Sequence, residues 1–113
     1  MDWASKVKSE DVAVARKHHA EIRQRINGAL GENDVLCLPT SPRIAPFKNT
    51  DMGKIEITYR DQAMGLLCIS GLGGLPQISL PLTELEGMPL GLSLVARHGN
   101  DEMLLQLAKS ITE

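Results

Sequence analysis

Three short runs in this chain are apolar almost from end to end: Val35 to Leu38 (VLCL), Gln77 to Leu82 (QISLPL) and Leu90 to Ala96 (LGLSLVA). Each is too short for an ordinary helix and is bounded by turn-forming or charged residues, so each reads as a strand. Near-continuous apolarity, in place of strict alternation, belongs to strands covered on both faces. That requirement constrains the fold more than any other feature: a small sheet has to lie between helices drawn from the rest of the chain.

Helical periodicity fills the intervals. Ser9 reads as an N-cap with Glu10 and Asp11 in the first turn, and Val12, Ala15, His19, Ile22, Ile26 and Leu30 then recur at steps of three and four. This predicts a helix from about residue 10 to 27 or 30, with Gly28 and Gly31 marking its exit. Thr58 and Asp61 form a capping arrangement for a second helix, Tyr59 to Ser70, which is apolar around nearly its whole circumference. Gly71, Gly73 and Gly74 are its structural glycines, a tight exit where carbon side chains would clash, and Pro76 prevents resumption. Pro81 should sit at a strand end or a bulge, and LEGMPLG supplies the turn between two neighbouring strands. Asn100 caps a last helix with Leu104, Leu107, Ala108 and Ile111 on its buried side. The order helix, strand, helix, strand, strand, helix is that of an α/β layer with a small sheet.

Composition excludes several classes of function. Twelve Lys and Arg against fourteen Asp and Glu give a formal charge of -2, without the basic excess that nucleic acid needs. No apolar stretch reaches the length of a membrane span, which with the charged N-terminus leads to the expectation of a soluble, cytoplasmic chain. Trp3, Phe47 and Tyr59 are the aromatics, so aliphatic side chains must fill the core. Cys37 and Cys68 lie in apolar runs and read as free, buried thiols. His18, His19 and His98 have neither metal-ligand spacing nor an evident catalytic partner, and GLGGL follows a helical pattern where a phosphate-binding loop would follow a strand. No metal or organic cofactor is expected. The remaining feature with functional weight is the period-free segment PTSPRIAPFKNTDMG, a long loop of the kind used for binding or as a lid. Thr40, Ser41 and Pro42 open it at the end of the first strand and are the substrate-pocket candidates; in a parallel sheet, that edge is where ligands are held.

DVLCLPTSP at 34 to 42, SGLGGLPQISLPL at 70 to 82 and EGMPLGLSLVARHGNDEMLLQLAKSI at 86 to 111, in this order and spacing, resemble the C-terminal region of the amidase signature family. SEDVAVARKHHAEIRQRINGAL, which leads into them, looks most like the plant indole-acetamide amidases and the related chloroplast import receptor group. The resemblance implies a partial amidase-signature fold, a mixed sheet covered by helices, with residues 1–113 as a C-terminal portion of the domain. It also implies hydrolysis of a small carboxamide, such as an indole-acetamide, by a serine, a second serine in a cis peptide and a lysine. The segments that carry those groups in the family have no counterpart in this chain, so no catalytic residue is assigned and the isolated chain is expected to be inactive. Many relatives carry Asn where this chain has Gly71. Partners implied are a small amide for the complete form, and self-association or the remainder of the domain for this portion. The alternative is a non-catalytic scaffold or docking module of the import-receptor type, associated with the chloroplast surface.

Overall fold

The computed structural model describes residues 4–113; Trp3 lies outside them. A short 3-10 turn, Ala4–Lys6, precedes the first helix, α1 (Ser9–Ala29). That helix starts one residue earlier than a Ser9 cap implies. Lys8 holds the cap position in extended conformation, Ser9 is the first helical residue, and the Asp11 carboxylate accepts the Lys8 N–H at 3.3 Å. After β1 (Val35–Pro39) comes the loop, which gives way to a helical turn α2 (Met52–Lys54), a π-helical segment (Ile55–Tyr59) and α3 (Arg60–Gly73). Helical dihedrals persist through Lys54, Tyr59 and Arg60, so these three pieces form one continuous rod.

The expected cap at Thr58 is therefore corrected: Thr58 lies inside the π-helical segment, and Asp51 caps the rod, its carboxylate accepting the Lys54 N–H at 3.2 Å. An aspartate several residues upstream supplied the same local signal, and the longer helix leaves fewer backbone groups without intrahelical partners. The loop shortens accordingly to Thr40–Asp51.

β2 (Gln77–Leu85) and β3 (Met88–Ala96) form a hairpin that is longer at its turn end than the apolar runs predict. Glu86 and Gly87, with φ of 54° and 74°, are its two-residue loop; two consecutive positive φ values match the right-handed twist of the strands. Pro81 sits within a register shift between Leu80 and Thr83, the bulge its missing N–H demands. β1 pairs with the other side of β3, giving the order β1-β3-β2 with every pairing antiparallel. The three strands thus share one sheet, while the parallel-sheet premise for a ligand edge at Thr40 does not hold within this chain.

Helices cover both faces. On one, Leu80, Leu94 and Ala96 pack against Leu104 and Ala108 of α4 (Asp101–Thr112). On the other, Leu38 and Val95 pack with Leu75, Ile26, Leu30, Leu66 and Leu67, which brings α1 and α3 onto the sheet. Asn100 occupies the cap position of α4, but its side-chain amide donates to the Glu32 carbonyl and not to the helix backbone.

Coverage is incomplete. Of the apolar side chains of the α1 stripe, those at its C-terminal end pack on the core: Ile26 and Leu30 are half-buried, whereas Val12 and Ile22 are 37% and 39% exposed. Cys37 is exposed and Cys68 half-buried, which corrects the expectation of two buried thiols. Cys37 sits on the edge strand, where a covering helix reaches least. The accessible surface is 8581 Å², against about 6,100 Å² for a compact monomer of this mass. The radius of gyration is 17.2 Å where a globule of this length would have about 13 Å. The molecule is a slab, 50 × 43 × 18 Å.

Candidate functional site

Pro39 ends β1, but the next residue still belongs to the sheet: the Thr40 N–H donates to the Gly91 carbonyl at 2.8 Å. Close approach is possible because Gly91 has no side chain; a Cβ there would lie 2.7 Å from the Thr40 hydroxyl. That hydroxyl turns to Ser93 Oγ, 2.9 Å away. Ser93 is fully buried and is also reached by Ser79 Oγ at 2.9 Å and by the Gln77 side-chain amide at 3.0 Å. Ser70 of α3 extends the network by donating to Gln77 Oε1 at 2.6 Å. A serine hydroxyl donates once and accepts twice. With one acceptor site taken by Gln77 Nε2, Ser93 accepts from one of Thr40 and Ser79 and donates to the other. A polar row thus crosses the α3-side face of the sheet from exposed Ser79 to Thr40.

Ser41 points elsewhere. Its hydroxyl donates to the Arg43 carbonyl at 2.7 Å, so the Tyr59 hydroxyl, also at 2.7 Å, must be the donor in their contact. Tyr59 ends the π-helical segment, and this bond pins the loop to the rod. Pro42 is half-buried in the same loop beside them. Between the loop and the rod runs an open groove of about 550 Å³ with Ile44, Pro46, Ile55 and Tyr59 among its walls and Arg43 and Lys54 beside them. A tight turn closes the loop, with Asn49 at φ 64° and the Thr50 hydroxyl donating to the Phe47 carbonyl at 2.6 Å. The Phe47 ring is 90% exposed at the groove's edge.

The glycine-rich exit of α3 is structural at two of its three positions. Gly74 has φ +63°, and both its N–H and that of Leu75 donate to the Ser70 carbonyl, closing the helix in a left-handed cap. A Cβ at Gly73 would lie 2.8 Å from Ile26. A Cβ at Gly71 would meet nothing within 4 Å, so the expected clash does not apply there. Three side chains take the carbonyls of this exit: His19 that of Leu72 at 3.1 Å, Asn27 that of Gly73 at 2.8 Å and His98 Nδ1 that of Gly74 at 2.7 Å. Two histidines without an evident role in the sequence are therefore donors to helix-end carbonyls that would otherwise lack partners.

Among the described residues no lysine or histidine hydrogen-bonds to the hydroxyls of Thr40, Ser41, Ser70, Ser79 or Ser93. Without an adjacent base or a lowered pKa a hydroxyl is a weak nucleophile. Ser93 is buried with its donor and both acceptor sites filled, so solvent reaches its hydroxyl partners, exposed Ser79 and half-buried Thr40, and not Ser93 itself. On the outer side of the rod, Arg60 is held more firmly in its charged form by its hydrogen bond to Glu56 at 2.8 Å, an exposed pair. Of the row, only Thr40 is among the substrate-pocket candidates; Ser93, Gln77 and Ser79 lie in runs that read as apolar strands. A signal was present, because Gln77 and Ser79 alternate with Ile78 and Leu80, the period of a strand with one polar face.

The model of the Amidase family matches residues 1–105. This chain belongs to the amidase family. The amidase-family chain is 34% identical over 111 residues to "Amidase 1" of Arabidopsis thaliana, covering 98% of the chain and 26% of that relative. It is 33% identical over 94 residues to "Outer envelope protein 64, chloroplastic" of the same plant, covering 80% of the chain and 15% of that protein. A crystal structure of an amidase superposes with a TM-score of 0.76 at 28% identity, over 91% of the chain and 24% of the amidase. The structure of 6-aminohexanoate cyclic dimer hydrolase superposes with a TM-score of 0.64 at 26% identity, over 93% of the chain and 24% of the hydrolase. The partial α/β amidase fold is thus established, and the chain spans about a quarter of the length of these two enzyme structures. Among the described residues no helix is long and apolar enough to cross a membrane.

Proposed function

We propose that residues 1–113 are a C-terminal portion of an amidase-signature hydrolase, and that they line the substrate pocket without supplying the nucleophile. In its complete form the protein would hydrolyse a small carboxamide, of which indole-acetamide is the leading candidate, to carboxylate and ammonia. The observation that carries this reading is the hydroxyl row ending at Thr40, beside the loop where Ser41 meets Tyr59. Ser93 is buried and its bonds are filled, so an amide would meet the half-buried Thr40 hydroxyl, which keeps hydrogen-bonding capacity beyond its bond to Ser93. Among the described residues no lysine or histidine hydrogen-bonds to these hydroxyls, in keeping with an orienting role.

The test is a chimera in which this chain replaces the matching portion of the plant Amidase 1 relative. It is assayed for ammonia release from aliphatic, aryl-acetamide and indole-acetamide substrates beside the 113-residue chain alone. The chimera is expected to turn over an amide and the chain alone is not. A folded chimera inert toward every amide, or ammonia release by the chain alone, overturns the proposal. A second reading, a docking scaffold, is favoured by the similarity to the outer envelope protein and by the uncovered stripe of α1. Under it the inert but folded chimera is the expected outcome, and the place of work is the chloroplast surface where the first reading has the cytoplasm.

A further inference from the structure

The C-terminal end of α3 is gripped from two sides. Three consecutive carbonyls, those of Leu72, Gly73 and Gly74, are taken by His19 Nε2 at 3.1 Å, Asn27 Nδ2 at 2.8 Å and His98 Nδ1 at 2.7 Å. His19 and Asn27 come from α1, and His98 from the turn between β3 and α4. A carbonyl only accepts, so each bonded ring nitrogen carries hydrogen: Nε2 in His19 and Nδ1 in His98, opposite tautomers of the neutral ring. The grip falls on the segment least able to hold its own shape. Residues 71–76 read GLGGLP, and glycine, without a side chain, ranges over both signs of φ. Across this segment runs the first link of the polar row, from Ser70 Oγ to Gln77 Oε1 at 2.6 Å. A displacement of about 1 Å breaks such a bond. Gln77 in turn donates to Ser93 at 3.0 Å, and Ser93 meets Thr40 at 2.9 Å. His98 touches none of these hydroxyls: it follows the end of β3, while the Thr40 N–H is bonded to Gly91 in the middle of that strand.

We propose that His98, His19 and Asn27 are positioning residues: by holding the α3 exit they keep Ser70 and Gln77 within bonding reach, and through Ser93 they set the orientation of the Thr40 hydroxyl. The two imidazoles serve as donors and not as acids or bases, since an imidazolium keeps the N–H that faces the carbonyl. The role deepens the amide reading, on which its kinetic arm rests, because Thr40 is the hydroxyl which that reading offers to the substrate.

The first arm of the test needs no activity. In the uniformly labelled chain with its rings neutral, long-range nitrogen–proton correlations should show the Nδ1–H tautomer for His98 and the Nε2–H tautomer for His19. His98→Leu is expected to shift the Gln77 side-chain amide pair and the Thr40 backbone amide, and to speed hydrogen exchange of the Gln77 pair about fivefold. His98→Asn, whose side-chain amide stands where Nδ1 stood, should restore both. His19→Leu and His19→Gln form the same comparison at the second donor. A purely structural role predicts that His98→Leu lowers the denaturation midpoint with Gln77 and Thr40 unmoved, and that result overturns the proposal. So does the opposite tautomer in His98, or a folded His98→Asn variant that leaves the Gln77 pair unrestored. In the amide-active chimera His98→Leu should raise KM about fivefold and His98→Asn should return it. Loss of folded enzyme would instead lower kcat at constant KM, which overturns the positioning of substrate through Thr40. A chimera inert toward every amide counts against the amide reading, while the tautomers and the Gln77 resonances still decide whether the histidines hold the row.

Discussion

Replacing Ser93 by alanine removes one oxygen and tests whether the hydroxyl row stabilises the fold or merely fills space. Ser93 is 0% exposed and bonded to Thr40 and Ser79 at 2.9 Å and to Gln77 at 3.0 Å. A hydrogen bond contributes about 1 kcal/mol net, and more is lost when a buried partner is left without a replacement. Ser79 is exposed and can turn to water, whereas Thr40 and Gln77 are half-buried and recover only in part. The expected loss is therefore about 2 kcal/mol, a fall in Tm of about 8 °C for a chain of this size. Urea titration followed by far-UV circular dichroism measures it, with Ser79→Ala as the companion variant expected to cost less than about 1 kcal/mol. A cycle with Thr40→Val should give a coupling above about 0.5 kcal/mol. The competing idea is that Ser93, flanked by Leu92 and Leu94, is an under-filled apolar position. Under that idea alanine is neutral and valine stabilises, and either result would refute the reasoning.

Five further outcomes rest on the same structure. Gly74→Ala, at φ +63° and with its Cβ 2.5 Å from the Arg23 guanidinium, should cost about 1–2 kcal/mol in denaturant titration, while Gly71→Ala should be neutral or stabilise by up to about 1 kcal/mol. Leu104→Ala, at a position 2% exposed between α4 and the sheet, should cost about 2–4 kcal/mol. The chain alone should run larger than its 12.3 kDa in size-exclusion chromatography with light scattering, because its exposed apolar faces favour association; a monomer with strongly protected amides throughout α1 would contradict this. Purified alone, it should release no ammonia from aryl-acetamides, and Ser41→Ala should leave that null result unchanged; release that disappears in the variant would make Ser41 a nucleophile.

Elements whose character is written locally were legible in the residues themselves. The three apolar runs became the three strands of one sheet, the stripe from Val12 to Leu30 became α1, and Pro81 fell at a bulge, because side-chain period and backbone restriction act within a few residues. Gly74 likewise declared its left-handed cap. The start of the long helical rod was less legible, since Asp51 and Thr58 offer equivalent capping chemistry and only the completed helix, with its π-helical segment, chooses between them. What the sequence alone could not decide is which side chains meet. The row from Ser70 through Gln77 and Ser93 to Thr40 joins residues far apart in the chain, and the burial of Ser93 depends on the pairing of β3 with both neighbours. Coverage was misjudged for the same reason: the apolar content of VLCL marks a strand that favours burial, but whether a helix reaches Cys37 depends on strand order, and order β1-β3-β2 puts that residue at an edge. The tertiary structure therefore decided the site, because hydrogen-bond partners and solvent access are set by distance in space, whereas helices and strands are set chiefly by distance along the chain.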